Sequence, residues 1–434
     1  MLNKYFFWIF TTLLITSLLI SFSLKINLSN VLGIYSIDKY LLNFGIEAKN
    51  GGAVNDLRTH WEYIILLKKD VNNLFIYSLG GKQTHLLNYP LHHLIFSQLD
   101  FIKSLNSYLI TILVISLILP LIFYLSLKTR FENLNKSVII ILSSIILIFP
   151  AFQYSAIWGN NHNTALIFFT LGIFYLNSFI KENFTNNRKL IISIIFFSLA
   201  CYTKQYYSFF FIFLLIYLVN KIALKKFIFV LLFCILCAIP GIYYLILNPL
   251  LFFGIKQNIT NFNSAILISG SIIFVYLIPF IIQKILNFQN YKKFRLIDLI
   301  DKKIFLLSLI ITLLCSLNFN YSENVGGGIL LKLSYFLFDS QYLIFPFAFF
   351  GIYFLLYFSQ NTISNYSLVI LLLITFNTGY FVFQKYFEPM FYIIFLNVFD
   401  KAKIYQSIKK SNFVIIFYFC DYYIFTNYIY FLGL

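Results

Sequence analysis

Charged residues are scarce in this 434-residue chain, since Asp, Glu, Lys and Arg make up 11% of it while 60% is hydrophobic. A soluble domain carries about 25% charged residues. This chain therefore has too little polar surface to face water over its whole length. Apolar runs recur throughout the sequence and leave no stretch for a separate soluble domain. The composition excludes a soluble protein and predicts an integral membrane protein.

Cysteine and internal repeats are also scarce. The five cysteines are odd in number and form no disulfide framework, and most of them lie in apolar runs as small hydrophobic side chains. The sequence shows no fixed-period repeat and no inverted similarity between its halves. Transporters commonly show such repeats and place charges near the middle of the bilayer. Here the ionisable residues lie at the ends of apolar runs, which argues against a transporter.

The apolar runs predict an all-α polytopic fold: a single membrane domain covering residues 1–434, with eleven to thirteen transmembrane helices. The first run follows Lys4 and lacks a small-residue cleavage site, so we expect an uncleaved anchor. The candidate helices are 5–24, 104–126, 137–153, 164–180, 189–202, 206–220, 227–246, 264–283, 304–318, 341–358, 365–383, 387–400 and 412–433.

The excess of basic residues is explained by membrane topology. The chain has 32 Lys and Arg against 15 Asp and Glu, a net charge of +17. With a cytoplasmic N-terminus, most of the basic residues fall in cytoplasmic loops, as the positive-inside rule requires. The expected partner is therefore the lipid bilayer, and nucleic acid is not expected. The expected location is a bacterial inner membrane, or the endoplasmic reticulum membrane in a eukaryote.

The same topology places all five histidines and most acidic residues on the extracytoplasmic face, so any chemistry is expected there. The first outer loop, residues 25–103, is far longer than a helix connection needs. Residues 31–46 and 57–67 show the apolar spacing of amphipathic helices that lie in the membrane interface. A long loop with its own helices is more often functional than a plain connector.

The densest polar cluster covers residues 55–62, which read Asn-Asp-Leu-Arg-Thr-His-Trp-Glu after two glycines. Residues three and four apart are neighbours on a helix, so Asp56, Thr59 and His60 are expected to share a face, together with Arg58. A carboxylate beside cations at a membrane surface can take a proton from a hydroxyl group while the cations hold a phosphate. The alternative is an interfacial helix with a solvated charged face.

A second cluster covers residues 85–93, which read His-Leu-Leu-Asn-Tyr-Pro-Leu-His-His. Zinc needs three or four convergent ligands, and adjacent residues such as His92 and His93 diverge on a helix, so a metal site is not favoured. The outer carboxylates form no obvious metal-binding pair either, although the sequence leaves dependence on a divalent metal open. The plainer interpretation is a helix entry, with Pro90 in the first turn.

Two further clusters lie in short outer turns. Residues 158–163 read Trp-Gly-Asn-Asn-His-Asn, which suits a tight turn and also suits hydrogen bonds to sugar hydroxyls. Residues 201–207 place Lys204 between two apolar runs, on the face where short loops avoid positive charge. A lysine there needs a partner such as a phosphate. The alternative is a lysine that extends its ammonium group to the interface.

The last polar elements are residues 323–328, which end in three glycines, and residues 384–389, which read Gln-Lys-Tyr-Phe-Glu-Pro. Consecutive glycines permit close approach of a ligand or a helix. Lys385 and Glu388 are expected to open a span on the outer face.

Together these elements resemble the GT-C superfamily of polytopic glycosyltransferases, which use polyprenyl-phosphate-linked sugars. The shared features are the cytoplasmic N-terminus, the long first outer loop with its early Asp56, and the Asn-Tyr-Pro-Leu element at residues 88–91. Residues 202–206 (Tyr-Thr-Lys-Gln-Tyr) are similar to a Thr-Arg/Lys-Gln element, and residues 385–389 to a late aromatic-Pro element. A fainter similarity connects the chain to the α-1,2-glucosyltransferases of dolichol-linked oligosaccharide assembly. Those enzymes have arginine at the position of Lys204, so glucose specificity is not implied.

The resemblance implies an inverting transfer of a sugar to a glycan, lipid or protein acceptor, without a cofactor beyond the lipid-linked donor. Asp56 would act as the catalytic base, and Lys204, with Arg58 or Lys385, would bind the donor phosphate. The alternatives are a lipid-linked glycan transporter or flippase and a glycan polymerase or ligase. The residues expected to contact substrate are His60, Glu62, Asn88, Tyr89, His92, Asn161, His162, Gln205 and Glu388.

Overall fold

Every regular element in the described part of the chain is a helix. The computed structural model describes residues 8–20, 52–74, 89–247, 262–289, 301–321, 326–359, 362–375, 382–409 and 413–432. Its α-helices are α1 Trp8–Ile20, α2 Gly52–Lys69, α3 Leu91–Ser97, α4 Leu105–Ser116, α5 Ile118–Arg130, α6 Lys136–Ser144, α7 Pro150–Trp158, α8 His162–Lys181, α9 Asn187–Cys201, α10 Phe209–Val219, α11 Leu224–Leu247, α12 Phe262–Gln289, α13 Lys302–Ser316, α14 Gly328–Phe338, α15 Ile344–Phe358, α16 Ile363–Ile374, α17 Met390–Val398, α18 Lys401–Ile408 and α19 Phe413–Leu432.

Each of the thirteen predicted segments coincides with one or more of these helices, so the all-helical fold is confirmed. The number of membrane spans is not. Four helices in the described residues are long and apolar enough to cross a bilayer: Leu105–Arg130, which joins α4 and α5, His162–Lys181, Leu224–Leu247 and Phe262–Leu286. Most of the other apolar helices have 10–17 residues, below the usual length of a span.

A fifth candidate span is a bent pair of helices, Lys136–Ile148 and Pro150–Trp158, which meet at 61°. The sequence predicts one continuous helix over residues 137–153. Phe149 has extended backbone angles because a residue that precedes proline avoids the helical region, and Pro150 begins α7 at its N1 position. The bend redirects α7 toward α2, which it contacts.

The described residues form two compact units. The first unit is made of the segments Met1–Tyr207, Phe233–Leu251 and Phe419–Leu434. The second unit is made of Ser208–Leu232 and Phe252–Tyr418. In the first unit, α8 is largely buried and packs on α5 and α9. In the second unit, α12 is largely buried and packs on α15.

The packing of α12 on α15 depends on two glycines that face each other. A Cβ atom at Gly351 would lie 1.9 Å from the carbonyl oxygen of Gly270. Only glycine fits at such a contact, which brings the two backbones together as in other membrane helix pairs. The side chains of α11 are in contrast mostly exposed and apolar, as expected of a helix that faces lipid.

Within the long outer loop, the helix predicted over residues 57–67 is confirmed as part of α2, and the helix entry at Pro90 is confirmed by α3. The predicted helix at residues 31–46 lies outside the described residues, as does Asn88. Helices α2 and α3 pack against each other in the first unit.

Candidate functional site

The buried side of α2 carries two of the candidate residues, Asp56 and His60, one helical turn apart. His60 is buried and Asp56 is half-buried. Arg58 and Glu62 lie on a different face, where they are 50% and 65% exposed and form an ion pair at 3.5 Å. Exposed helical pairs of this kind stabilise a protein by about 0.3–0.5 kcal/mol. Helix α2 thus has the solvated charged face that the sequence offers as an alternative, and a second face that contacts the protein.

The Asp56 carboxylate is held by two donors from another part of the first unit. The Tyr154 hydroxyl donates to its Oδ2 atom at 2.9 Å, and Asn160 Nδ2 donates to the same oxygen at 3.2 Å. Tyr154 lies on α7 and Asn160 in the turn that follows, so the bend at Pro150 brings both donors to α2. Two hydrogen bonds to one carboxylate oxygen fix the position of the carboxylate.

The polar groups of the turn after α7 bond to one another. Gly159 adopts the left-handed conformation, with φ of 66°, and ends the helix. Asn160 Oδ1 accepts from the backbone N–H of His162 at 3.1 Å. The Ser155 hydroxyl donates to the Asn160 carbonyl at 2.8 Å and accepts from the Asn163 N–H at 3.0 Å. The turn therefore presents its side chains in fixed directions.

The same turn contacts the segment that carries Lys204. Asn161 Nδ2 donates to the Thr203 carbonyl at 3.3 Å, and its Oδ1 atom is buried with no hydrogen-bond partner. His162 Nδ1 and the Tyr206 hydroxyl share a hydrogen bond of 2.8 Å. Two of the predicted substrate-contacting residues, Asn161 and His162, thus connect the Asp56 side of the site to the Lys204 segment.

Lys204 lies in a turn of three residues between α9 and the 3₁₀ helix Gln205–Ser208. Its side chain is half-buried. The carbonyl of Tyr202 in this turn accepts from the N–H of Leu91, the first residue of α3, at 3.1 Å. This bond satisfies one of the donors that every helix N-terminus leaves unpaired. It places the start of α3 on the Lys204 turn. Gln205 is exposed.

His92 on α3 is fully hydrogen-bonded inside the protein. Its Nε2 lies 2.8 Å from the Tyr108 hydroxyl, and its Nδ1 lies 3.0 Å from the Thr164 hydroxyl. Tyr108 gives its one proton to the Gly159 carbonyl at 2.5 Å, so it must accept from the Nε2–H of His92. His92 Nδ1 then accepts from Thr164. These hydrogen bonds fix the tautomer of His92. Through Tyr108 they also contact the turn that holds Asp56.

His93, the next residue on α3, pairs with His60. His93 Nε2 and His60 Nδ1 are 2.8 Å apart, and the two rings stack with their centroids 5.1 Å apart. The Nδ1 atom of His93 is buried and has no hydrogen-bond partner. The two adjacent histidines thus have different partners.

Nowhere in the described ranges do three His, Cys, Asp or Glu side chains converge as a metal site.

The pKa values of both His92 and His93 lie well below the ordinary value for histidine. Burial is the main cause, because it disfavours a charged imidazolium. His93 lowers the pKa of His92 further, His60 lowers that of His93, and the positive charge of Lys204 lowers both. Both rings are therefore neutral at neutral pH. The first turn of α3, which carries both histidines, lies against the Lys204 turn through the hydrogen bond from the Leu91 N–H to the Tyr202 carbonyl.

Tyr89, just before α3, is buried. Its hydroxyl donates to the Gly241 carbonyl at 3.2 Å, and its ring contacts Tyr202 and Tyr244. Burial raises the pKa of Tyr89 to about 12. The contacts indicate that Tyr89 anchors the entry of α3 on α11.

The remaining candidates, Lys385 and Glu388, belong to the second unit. Glu388 is buried and accepts from the Tyr276 hydroxyl at 2.6 Å. Tyr276 accepts from Gln384 Nε2 at 3.1 Å, and the Lys385 ammonium lies 5.1 Å from the ring centroid of Phe383. The second unit therefore has a polar group of its own around Glu388.

The chain matches no known protein-family model, no curated protein and no solved structure. The resemblance to the GT-C superfamily therefore stays a prediction.

Several residues of this site were not among the candidates from sequence. Asn160 and His93 lie within the polar clusters, but neither carried a separate signal. Tyr154, Tyr108 and Thr164 lie in apolar helices, where an isolated hydroxyl is no sign of function. Their roles depend on contacts between distant segments, up to 104 positions apart in the case of Asp56 and Asn160.

Proposed function

We propose that this protein is a membrane glycosyltransferase that moves a sugar from a polyprenyl-phosphate donor to an extracytoplasmic acceptor with inversion. The observation that supports this most strongly is the convergence of four chain segments in one compact unit. Asp56 and His60, His92 and His93, the turn at 158–163 and the Lys204 turn are connected by direct hydrogen bonds and by the charge of Lys204.

In the proposed reaction, Asp56 takes the proton of the acceptor hydroxyl as the acceptor oxygen bonds to the anomeric carbon. The bond from that carbon to the donor phosphate breaks, and its electrons leave with the phosphate, which gains a negative charge. Lys204 stabilises that charge. A general base contributes about 10²–10⁴-fold to a rate, and stabilisation of a developing charge is often the larger contribution.

The architecture that suits this reaction is the polytopic arrangement predicted from sequence. A polyprenyl phosphate keeps its tail in the bilayer and its anionic head at the interface. We infer up to thirteen spans, a cytoplasmic N-terminus and an extracytoplasmic outer loop at residues 25–103. The exposed apolar side chains of α11 support contact with lipid tails. The proposed location is a bacterial inner membrane, or the endoplasmic reticulum in a eukaryote.

The competing proposals are a flippase for lipid-linked glycans and a glycan polymerase or ligase. The fixed carboxylate favours chemistry over transport, because Asp56 is held by two donors as a reacting group is, and transport does not require such a group. A polymerase or ligase would use the same phosphate and base, so only the product distinguishes it from a single-sugar transferase.

The test is incubation of the purified protein with a panel of radiolabelled polyprenyl-phosphate sugars and membrane extract, followed by identification of the labelled product. We expect the label to move from one donor to an acceptor. Movement of the intact donor across a vesicle bilayer without cleavage would indicate a flippase instead.

A further inference from the structure

The His60–His93 pair is a buried group that the proposed reaction leaves without a role. The two imidazoles come from different helices, α2 and α3, and share one hydrogen bond at 2.8 Å. Both are more than nine-tenths buried. Two neutral imidazoles in such contact hold one proton between Nε2 of His93 and Nδ1 of His60.

The position of that proton follows from the other nitrogen of His93. Its Nδ1 atom is buried and has no hydrogen-bond partner. A buried N–H group without an acceptor is rarer than a buried acceptor without a donor. The favoured arrangement therefore has the Nε2–H of His93 donating to His60. Nδ1 of His93 then carries only a lone pair, which is available to a proton.

Several titratable groups face the pair from the elements packed around it. The rings of Tyr63 on α2 and His92 on α3 contact His93, and His92 bonds to Tyr108 on α4. The charge of Lys204, in the turn after α9, also acts on His93. Farther away on α2, Asp56 with its donor Tyr154 lies one helical turn from His60, and Arg58 and Glu62 lie on the exposed face. Lys204 and His60 oppose a positive charge on His93.

We propose that His93, paired with His60, takes up a proton when a phosphate anion binds Lys204, and that its Nδ1–H then donates to that ligand. This inference rests on the proposed function, because it takes the donor phosphate to bind at Lys204. It assigns His93 as a positioning residue that couples donor binding to protonation.

The physical reason is that a bound anion removes both obstacles to this proton. Its negative charge offsets the positive charge of Lys204, so protonation of His93 costs less free energy. Its oxygen atoms supply the acceptor that Nδ1–H lacks within the protein. The proton comes from the solvent or buffer, forms an N–H bond with the Nδ1 lone pair and requires no redox partner.

The test is isothermal titration calorimetry of the purified full-length protein with farnesyl methyl phosphate. This phosphodiester keeps one negative charge near neutral pH, so the probe itself binds no proton. Titrations in two non-phosphate buffers of different ionisation enthalpy report the number of protons taken up on binding. At about pH 6.5 we expect roughly half a proton or more per bound ligand.

Two variants and one control variant locate the proton. His93→Gln keeps an amide near the Nε2 position, toward His60, and removes the titrating Nδ1, so it should bind the probe with little proton uptake. Lys204→Met should lose both binding and uptake, whereas Lys225→Met, at an exposed lysine, should behave as the wild type. Melting curves of each variant check that it is folded.

Tight binding without proton uptake by the wild-type protein would overturn this inference and leave the proposed phosphate site intact. Equal uptake by His93→Gln would overturn it as well, because the proton would then bind elsewhere. Absence of binding to the wild-type protein would contradict both the inference and the proposed donor site.

Discussion

Asp56 depends on neighbouring side chains for its position, and Tyr154 is the closer of its two donors. Tyr154→Phe removes one hydroxyl and keeps the ring. A hydrogen bond to a charged group contributes about 1.5–3 kcal/mol, so we expect sugar transfer to fall roughly 10-fold or more. The measurement is the initial rate with a saturating labelled donor. An unchanged rate would mean that Tyr154 does not hold Asp56 during the reaction.

The buried histidines predict how stability depends on pH. The pKa values of His92 and His93 lie below the ordinary value in the folded protein. As the pH falls, the unfolded chain therefore binds more protons than the folded chain. The free energy of unfolding should therefore decrease below about pH 6.5, by up to about 1.4 kcal/mol per pH unit for each histidine.

This pH dependence is measured by thermal unfolding in detergent between about pH 7 and pH 5. His92→Gln keeps a donor for Tyr108 and removes one titrating group, so its melting temperature should fall less steeply as the pH is lowered. Parallel curves for the variant and the wild type would show that His92 does not remain neutral in the folded protein.

Among the elements of the site, the turn after α7 is the one most sensitive to backbone geometry. Gly159 has a left-handed conformation, and a Cβ atom there would lie 2.7 Å from Tyr108 Cε1. Both Gly159→Ala and Gly159→Asn introduce that Cβ, but asparagine adopts the left-handed region more readily. We expect both variants to be less stable than the wild type. The free energy of unfolding in detergent should be about 1–2 kcal/mol lower for the alanine variant than for the asparagine variant. Equal stability of the two variants would show that the backbone conformation is not the limiting factor.

The helices of this chain could be predicted from hydrophobic runs, but their breaks could not be predicted fully. Residues 104–126 read as one span, and α4 and α5 do form one candidate span, Leu105–Arg130. Residues 137–153 read as one span too, yet the chain bends at Phe149. Proline at position 150 signals a boundary, whereas the direction of the bend depends on packing against α2.

The candidate site was predictable to the extent that its residues are polar in an apolar sequence. Asp56, Lys204 and the histidines stand out for that reason. Their partners do not, because Tyr108 and Thr164 act through hydrogen bonds that only the fold creates. Arg58 and Glu62 also stand out as polar residues in an apolar sequence, but they form an exposed ion pair away from the buried site.

At the scale of the whole molecule, the topology predicts which surfaces are accessible from outside the cell. In a background without native cysteines, Asp70→Cys at the end of α2 should react with a membrane-impermeant maleimide on intact cells. Lys225→Cys, in a predicted cytoplasmic loop, should react only after the membrane is opened. Labelling of Lys225→Cys on intact cells would contradict the positive-inside assignment.

The central claim is that Asp56 and Lys204 act together on a lipid-phosphate sugar, and the rate of labelled sugar transfer by purified variants tests it most directly. Asp56→Asn and Lys204→Ala should each lower the rate by about 10²–10⁴-fold while the proteins still insert into the membrane. Asp70→Asn and Lys225→Ala, the same changes at exposed positions, should retain the wild-type rate. A near-normal rate for Asp56→Asn would contradict the account.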